Sequence, residues 1–194
     1  MEPAMKNTTI RHNRGITLIE LLMTLALISI LLAIAAPAFG GLVQRDAAET
    51  SRNTLTTALS AARIEAVTRT RNVVVCPSAD QQYCDHSTEW QHGWIVFADA
   101  NQDGDRDEGE TLISAGDPQP EGVAITSTAG RTKVAYHADG TSPGSNLTLT
   151  LCDRRGAKLA TSLVVNNAGR VRSGKPTAAA AQACEARLNP KPSA

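Results

Sequence analysis

Apolar residues run almost unbroken from Ile16 to Ala36, ITLIELLMTLALISILLAIAA, and Glu20 is the one charge in these 21 residues. At 1.5 Å per residue a helix over that run is about 30 Å long, enough to cross a bilayer core. Pro37, Gly40 and Gly41 follow, which predicts a kink or local melting. A helical period then resumes: Leu55, Ala58, Leu59, Ala62 and Ala66 keep i, i+3, i+4, i+7 spacing, with Arg45, Arg52, Arg63 and Arg69 largely off the stripe. That half reads as an amphipathic helix with its apolar face on a sheet. From Asn72 the pattern turns strand-like, with short β-branched runs at Val73–Val75, Trp94–Phe97, Val123–Ile125, Val134–Tyr136, Leu147–Leu151 and Leu163–Val165. Consecutive short strands without intervening helices imply an antiparallel sheet. The alanine run and prolines after Ser173 predict an irregular tail.

The expected class is therefore α+β: a long N-terminal helix, transmembrane then amphipathic, packed on an antiparallel β-rich head. The expected segments are a leader at 1–15, the membrane helix at 16–36, its amphipathic continuation at 37–71, the head at 72–172 and the tail at 173–194. Composition adds that the core is aliphatic, since aromatics make up only 3% of the 194 residues. The formal net charge of zero hides a division along the chain. Residues 77–130 hold eleven Asp/Glu against one Arg, and residues 131–194 hold ten Lys/Arg against three acids. Such asymmetry predicts two faces with different partners.

An ionised carboxylate inside an apolar span is costly, so Glu20 calls for a partner. A secretory signal peptide places its cleavage site after the apolar run; here Gly15 precedes it. The series Arg14-Gly15-Ile16-Thr17-Leu18-Ile19-Glu20 resembles the type IV prepilin signature. The resemblance implies cleavage after Gly15 by a prepilin peptidase and methylation of the new amino terminus at Ile16, where the family usually has Phe. It also implies pairing of Glu20 with the terminal amine of a neighbouring pilin, insertion in the inner membrane as a single-pass prepilin, and a periplasmic or extracellular place in the assembled pilus.

Four cysteines remain after such cleavage, Cys76, Cys84, Cys152 and Cys184, and no C-x-x-C pair suggests a zinc ribbon. Export to an oxidising compartment favours disulfides. Of three pairings, the sequential one, Cys76–Cys84 with Cys152–Cys184, is favoured because the first loop is short and the second bridge pins the tail. Chain-entropy arithmetic gives roughly 3 and 4 kcal/mol for the two closures.

The body, through Val75-Cys76-Pro77-Ser78, Gly93-Trp94-Ile95-Val96-Phe97, Asp99-x-Asn101-x-Asp103-Gly104 and Asn167-Ala168-Gly169-Arg170-Val171-Arg172, resembles the FimT/GspH minor pilin group. In FimT proteins a Gly-Arg-x-Arg element near the C-terminus is associated with binding DNA during natural transformation. The resemblance thus implies double-stranded DNA as a partner of Arg170 and Arg172, which share a side of a strand-like stretch. Lys175 follows, Arg187 returns toward the area if Cys184 bridges to Cys152, and Arg154, Arg155 and Lys158 form a second basic cluster. Guanidinium groups bind phosphate bidentately with salt-sensitive, sequence-independent affinity. No aromatic lies among these residues, so stacking on single-stranded bases is not indicated. The bland reading is a solvated basic edge that keeps the sheet from aggregating.

Asp99 to Glu110 also satisfies the calcium-loop pattern, with Asp99, Asn101, Asp103 and Glu110 as oxygen donors and Gly104 at the turn. A strand rather than a helix precedes it, so a plain acidic hairpin turn is preferred and no metal or cofactor is assigned. Nucleophile elbow, phosphate loop and zinc-protease helix are all missing from the sequence, and His86, His92 and His137 lack ligand spacing. Trp90 and Trp94 read as packing residues. An enzyme is not expected. The resemblance implies a DNA-binding minor pilin for competence, with a structural pseudopilin of type II secretion or a pilus assembly primer as the alternatives.

Overall fold

The computed structural model describes Gly15 and residues 17–188. Helix α1 spans Leu18–Arg69, followed by β1 (Asn72–Pro77), β2 (Trp94–Asp99), β3 (Leu112–Gly116), β4 (Val123–Ser127), β5 (Val134–Tyr136), β6 (Leu147–Asp153), β7 (Thr161–Val165), β8 (Val171–Gly174) and α2 (Ala178–Leu188). Two compact units divide the chain at Gly40/Gly41.

In the first unit, Thr17 caps α1. Its Oγ1 accepts the Glu20 N–H at 3.3 Å and its carbonyl accepts the Leu21 N–H at 3.1 Å. The large apolar side chains from Leu18 to Ile34 are exposed, while Thr24 and Ser29 donate their hydroxyls back to the carbonyls of Leu21 and Ala26, both at 2.8 Å. A helix segment built this way leaves few polar groups in need of water, and by length and composition it is apolar enough to cross a membrane. The helix continues through Pro37, Gly40 and Gly41, so the expected melting does not occur.

In the second unit, Leu55, Leu59, Ala62 and Ala66 of α1 are fully buried, as their spacing predicts. They pack with Val73 and Val75 of β1, Val96 of β2, Ile125 of β4, Val134 and Tyr136 of β5, and Leu149, Leu151, Leu163 and Val165 of β6 and β7. The head holds two four-stranded antiparallel sheets, ordered β3-β2-β1-β5 and β4-β6-β7-β8. Strand alternation sends Val74, Cys76, Ile95 and Phe97 to the other face of the first sheet. The Cys76–Cys84 disulfide folds the Pro77–Tyr83 loop onto that face.

Beyond β8 the chain is not irregular. Residues Ala178–Leu188 form α2, and the expected tail is helical there; residues 189–194 lie outside the described residues. The alanine run favours helix strongly, and Thr177 caps it by accepting the Ala180 N–H at 3.2 Å. The Cys152–Cys184 disulfide fixes α2 against β6, where Ala124, Ala160 and Ala181 complete a small apolar cluster.

Candidate nucleic-acid interface

The β7–β8 hairpin presents the Gly-Arg-x-Arg element. Its strands close on the pair Val165–Val171. The turn between them is held by Asn166, whose Oδ1 accepts the Arg170 N–H at 3.0 Å and whose carbonyl accepts the Gly169 N–H at 2.8 Å. Gly169 has φ +71°, and a Cβ there would lie 2.1 Å from the Gly140 carbonyl oxygen. Only glycine fits that position without a shift. The same Gly140 oxygen accepts the Nε–H of Arg63 at 2.8 Å, and Ser142 donates its N–H to the Asn167 carbonyl at 2.8 Å. The Gly140 carbonyl thus ties helix α1 to the 137–142 turn, and the Asn167 carbonyl ties that turn to the β7–β8 turn.

Val171 packs against the core, so the flanking Arg170, at the end of the turn, and Arg172, on the edge strand β8, are left exposed. Together with Ser60, Arg63 and Ile64 of α1 they line one groove. No carboxylate pairs with Arg63, Arg170 or Arg172 among the described residues. Lys158 and Lys175 line a second depression beside the start of α2, with Pro176 and Gln182. Lys175 lies three positions after Arg172, about 10 Å at the rise of a strand.

The other three cations expected at the surface are drawn away by carboxylates. Arg155 grips Asp153 with Nε and Nη2 at 2.9 and 2.8 Å, and Asp153 is only 3% exposed. That bidentate bond raises the Arg155 pKa further and makes the residue part of the head's own structure. Arg154 pairs with Glu121 at 2.5 Å. The second disulfide does return Arg187 to the head, but against Glu89, at 2.6 Å, and into a threonine-lined groove with Thr88, Thr126 and Thr150 rather than the groove of Arg170. Conversely, Arg63 was not among the expected cations. Its signal in the sequence is its place beside Ala62, on the rim of the buried stripe.

The acidic loop uses its side chains internally. Asp99 accepts the N–H groups of Gln102 and Gly104 at 2.7 and 3.1 Å, and Glu110 accepts those of Ala100 and Asp107 at 2.7 and 3.2 Å. Asn101 donates to Asp103 and Asp107, both at 2.8 Å, and the Lys133 ammonium reaches the Gly104 carbonyl at 2.8 Å and Asp105 at 3.3 Å. These side chains close a hairpin turn; among the described residues no cluster is arranged to hold a metal ion. In the first unit Gly15 and Glu20 are exposed, Glu20 lies in the first turn of α1, and Ile16 is outside the described residues.

A family model described as type II transport protein GspH matches residues 51–169, and the prokaryotic N-terminal methylation motif matches residues 10–36. No curated protein matches the chain. Among solved structures, the type IV minor pilin FimU of Pseudomonas aeruginosa is 20% identical with a TM-score of 0.50, over 69% of this chain and 88% of that one. The minor pseudopilin EpsH of the Vibrio cholerae type 2 secretion system is 13% identical with a TM-score of 0.47, over 67% of this chain and 98% of that one. The likeness to FimU identifies the type IV pilin fold, a long N-terminal helix packed on antiparallel sheets. With more than half its length matched by the family model and the prokaryotic methylation motif ahead of it, the chain belongs to the GspH family of type II transport proteins.

Proposed function

We propose that the chain is a minor type IV pilin of the FimT kind that binds extracellular double-stranded DNA for uptake in natural transformation. The observation that carries this reading is the exposed pair Arg170 and Arg172 at the start of an edge strand, without a carboxylate partner among the described residues. Unneutralised guanidinium groups on a rigid edge attract phosphate without reading sequence. Lys175 and Lys158 extend the basic surface, and Arg154 joins it when its exposed pair with Glu121 opens, since such pairs are weak. In the same reading the prepilin peptidase cuts between Gly15 and Ile16, the apolar run holds the subunit in the inner membrane, and Glu20 sets register against the next pilin.

A second reading is favoured by the family description itself, a type II transport protein. There the head is a structural pseudopilin, the arginines are a solvated edge, and only Glu20 and α1 matter for assembly.

Titrating the full chain in non-ionic micelles with duplex DNA across a salt series separates the two. The DNA reading expects binding whose salt slope becomes shallower by about 1.8 in Arg170→Ala/Arg172→Ala, two phosphate contacts fewer. A folded wild-type chain that binds no duplex at low salt leaves the structural reading standing.

A further inference from the structure

We infer that Arg63, on α1, is the third cation of the phosphate-binding groove and not merely a clasp for the turn beneath it; this rests on the DNA reading above. Arg63 lines the same groove as Arg170 and Arg172. Its Nε–H is held by the Gly140 carbonyl at 2.8 Å, and neither Nη has a protein acceptor among the described residues. One of five guanidinium N–H groups is therefore occupied, and the rest are left for a ligand.

The arrangement is built. Gly140 is the carbonyl that forbids a side chain at Gly169, and a Cβ on Gly169 would also lie 3.0 Å from the Arg63 Nε. The glycine of the Gly-Arg-x-Arg element thus makes room for an arginine that comes from a distant part of the sequence. Three guanidinium groups without carboxylates repel one another in the free protein, and a polyanion that bridges them relieves that repulsion. A phosphodiester backbone, with a charge at every step, suits a groove whose cations come from a helix on one wall and a strand on the other.

The same bond supports a simpler role, in which Arg63 only holds the 137–142 turn. Substitution distinguishes the two because the glutamine Nε2 sits at the same distance along the side chain as the arginine Nε. Arg63→Gln keeps the donor to Gly140 and removes the charge; Arg63→Lys keeps the charge; Arg63→Ala removes both. The full chain in non-ionic micelles is titrated with a short duplex DNA over a salt series, and thermal unfolding of each variant is recorded beside it. We expect Arg63→Gln to unfold as the wild type does, to bind about tenfold more weakly at low salt, and to show a salt slope shallower by about 0.9. Arg63→Lys is expected to retain the wild-type slope. If Arg63→Gln binds with wild-type affinity and slope while Arg63→Ala does not, Arg63 is a clasp and the inference fails alone. If the wild type binds no duplex at any salt, the DNA reading fails with it.

Discussion

In the β2–β3 hairpin the carboxylates of Asp99, Asp103 and Glu110 accept five backbone N–H groups, and the Lys133 ammonium closes over the loop. In the β7–β8 hairpin the turn is held by neutral groups, the Asn166 side chain and carbonyl and the Asn167 carbonyl, while its two arginines form no ion pair among the described residues. Both loops are charged and both belong to the same head. One uses its charge to fold and the other keeps its charge for a partner. Formal charge along the chain therefore locates neither role; what decides is whether the backbone of the loop needs the side chains.

The largest effect that would break this contrast lies at Gly169. A β-branched residue at φ +71°, placed 2.1 Å from the Gly140 oxygen, meets both backbone strain and steric overlap. Gly169→Val is expected to cost about 4 kcal/mol in chemical unfolding. If its stability equals the wild type, the basic turn is not seated on that carbonyl and Arg63 is not positioned by it.

Next comes a paired comparison of the charges themselves. Asp99→Ala orphans the N–H groups of Gln102 and Gly104 beneath a side chain that is 3% exposed, and is expected to destabilise the head by about 2 kcal/mol. Arg170→Ala/Arg172→Ala should stay within about 0.5 kcal/mol of wild type, because nothing in the fold depends on either guanidinium. Equal losses from the two variants would erase the distinction between the hairpins.

Much of this head was legible from periodicity, and the parts that were not share a physical cause. The α1 stripe and the β1, β2, β4, β6 and β7 runs bury apolar side chains at regular spacing, which sequence records directly. Strand β3 has little to bury: Leu112 and Ser114 are exposed, and the strand exists because it pairs with β2 across an irregularity at Val96/Phe97. Strand β8 has one inward residue, Val171, and depends in the same way on β7. The helix α2 was hidden because alanine and proline read as tail, whereas Thr177 and the Cys152–Cys184 bond make a helix of it. At the site, alternation correctly exposed Arg170 and Arg172. It could not reveal that Arg154 and Arg187 meet Glu121 and Glu89, since those partners arrive from distant loops.

The smallest effect concerns pH, where the β2–β3 hairpin and the 137–142 turn beside Gly169 should respond with opposite sign. Burial, then the charges of Glu110 and Asp103, raise the Asp99 carboxyl above the ordinary aspartate range, against the opposing pull of the Gln102 and Gly104 N–H groups. In the turn that supports Gly169, the Thr141 hydroxyl and N–H hold the Asp139 carboxyl below that range, with hydrogen bonds of 2.6 and 2.9 Å. The stability contributed by Asp139 is therefore present above about pH 3.9 and is lost as pH falls through its lowered folded value. That of Asp99 is fully present below about pH 3.9 and is lost as pH rises through its raised folded value. The amide signals of Gln102 and Thr141, bonded to the two carboxylates, report each titration directly during an NMR titration of the full chain in micelles. Gln102 should move at higher pH than Thr141. Asp139→Asn should then flatten the acid limb of the unfolding curve, whereas Asp99→Asn should remove a decline that sets in as pH rises. Coincident midpoints would mean that the buried carboxylate and the exposed one meet the same environment, contrary to the burial of Asp99 and the exposure of Asp139.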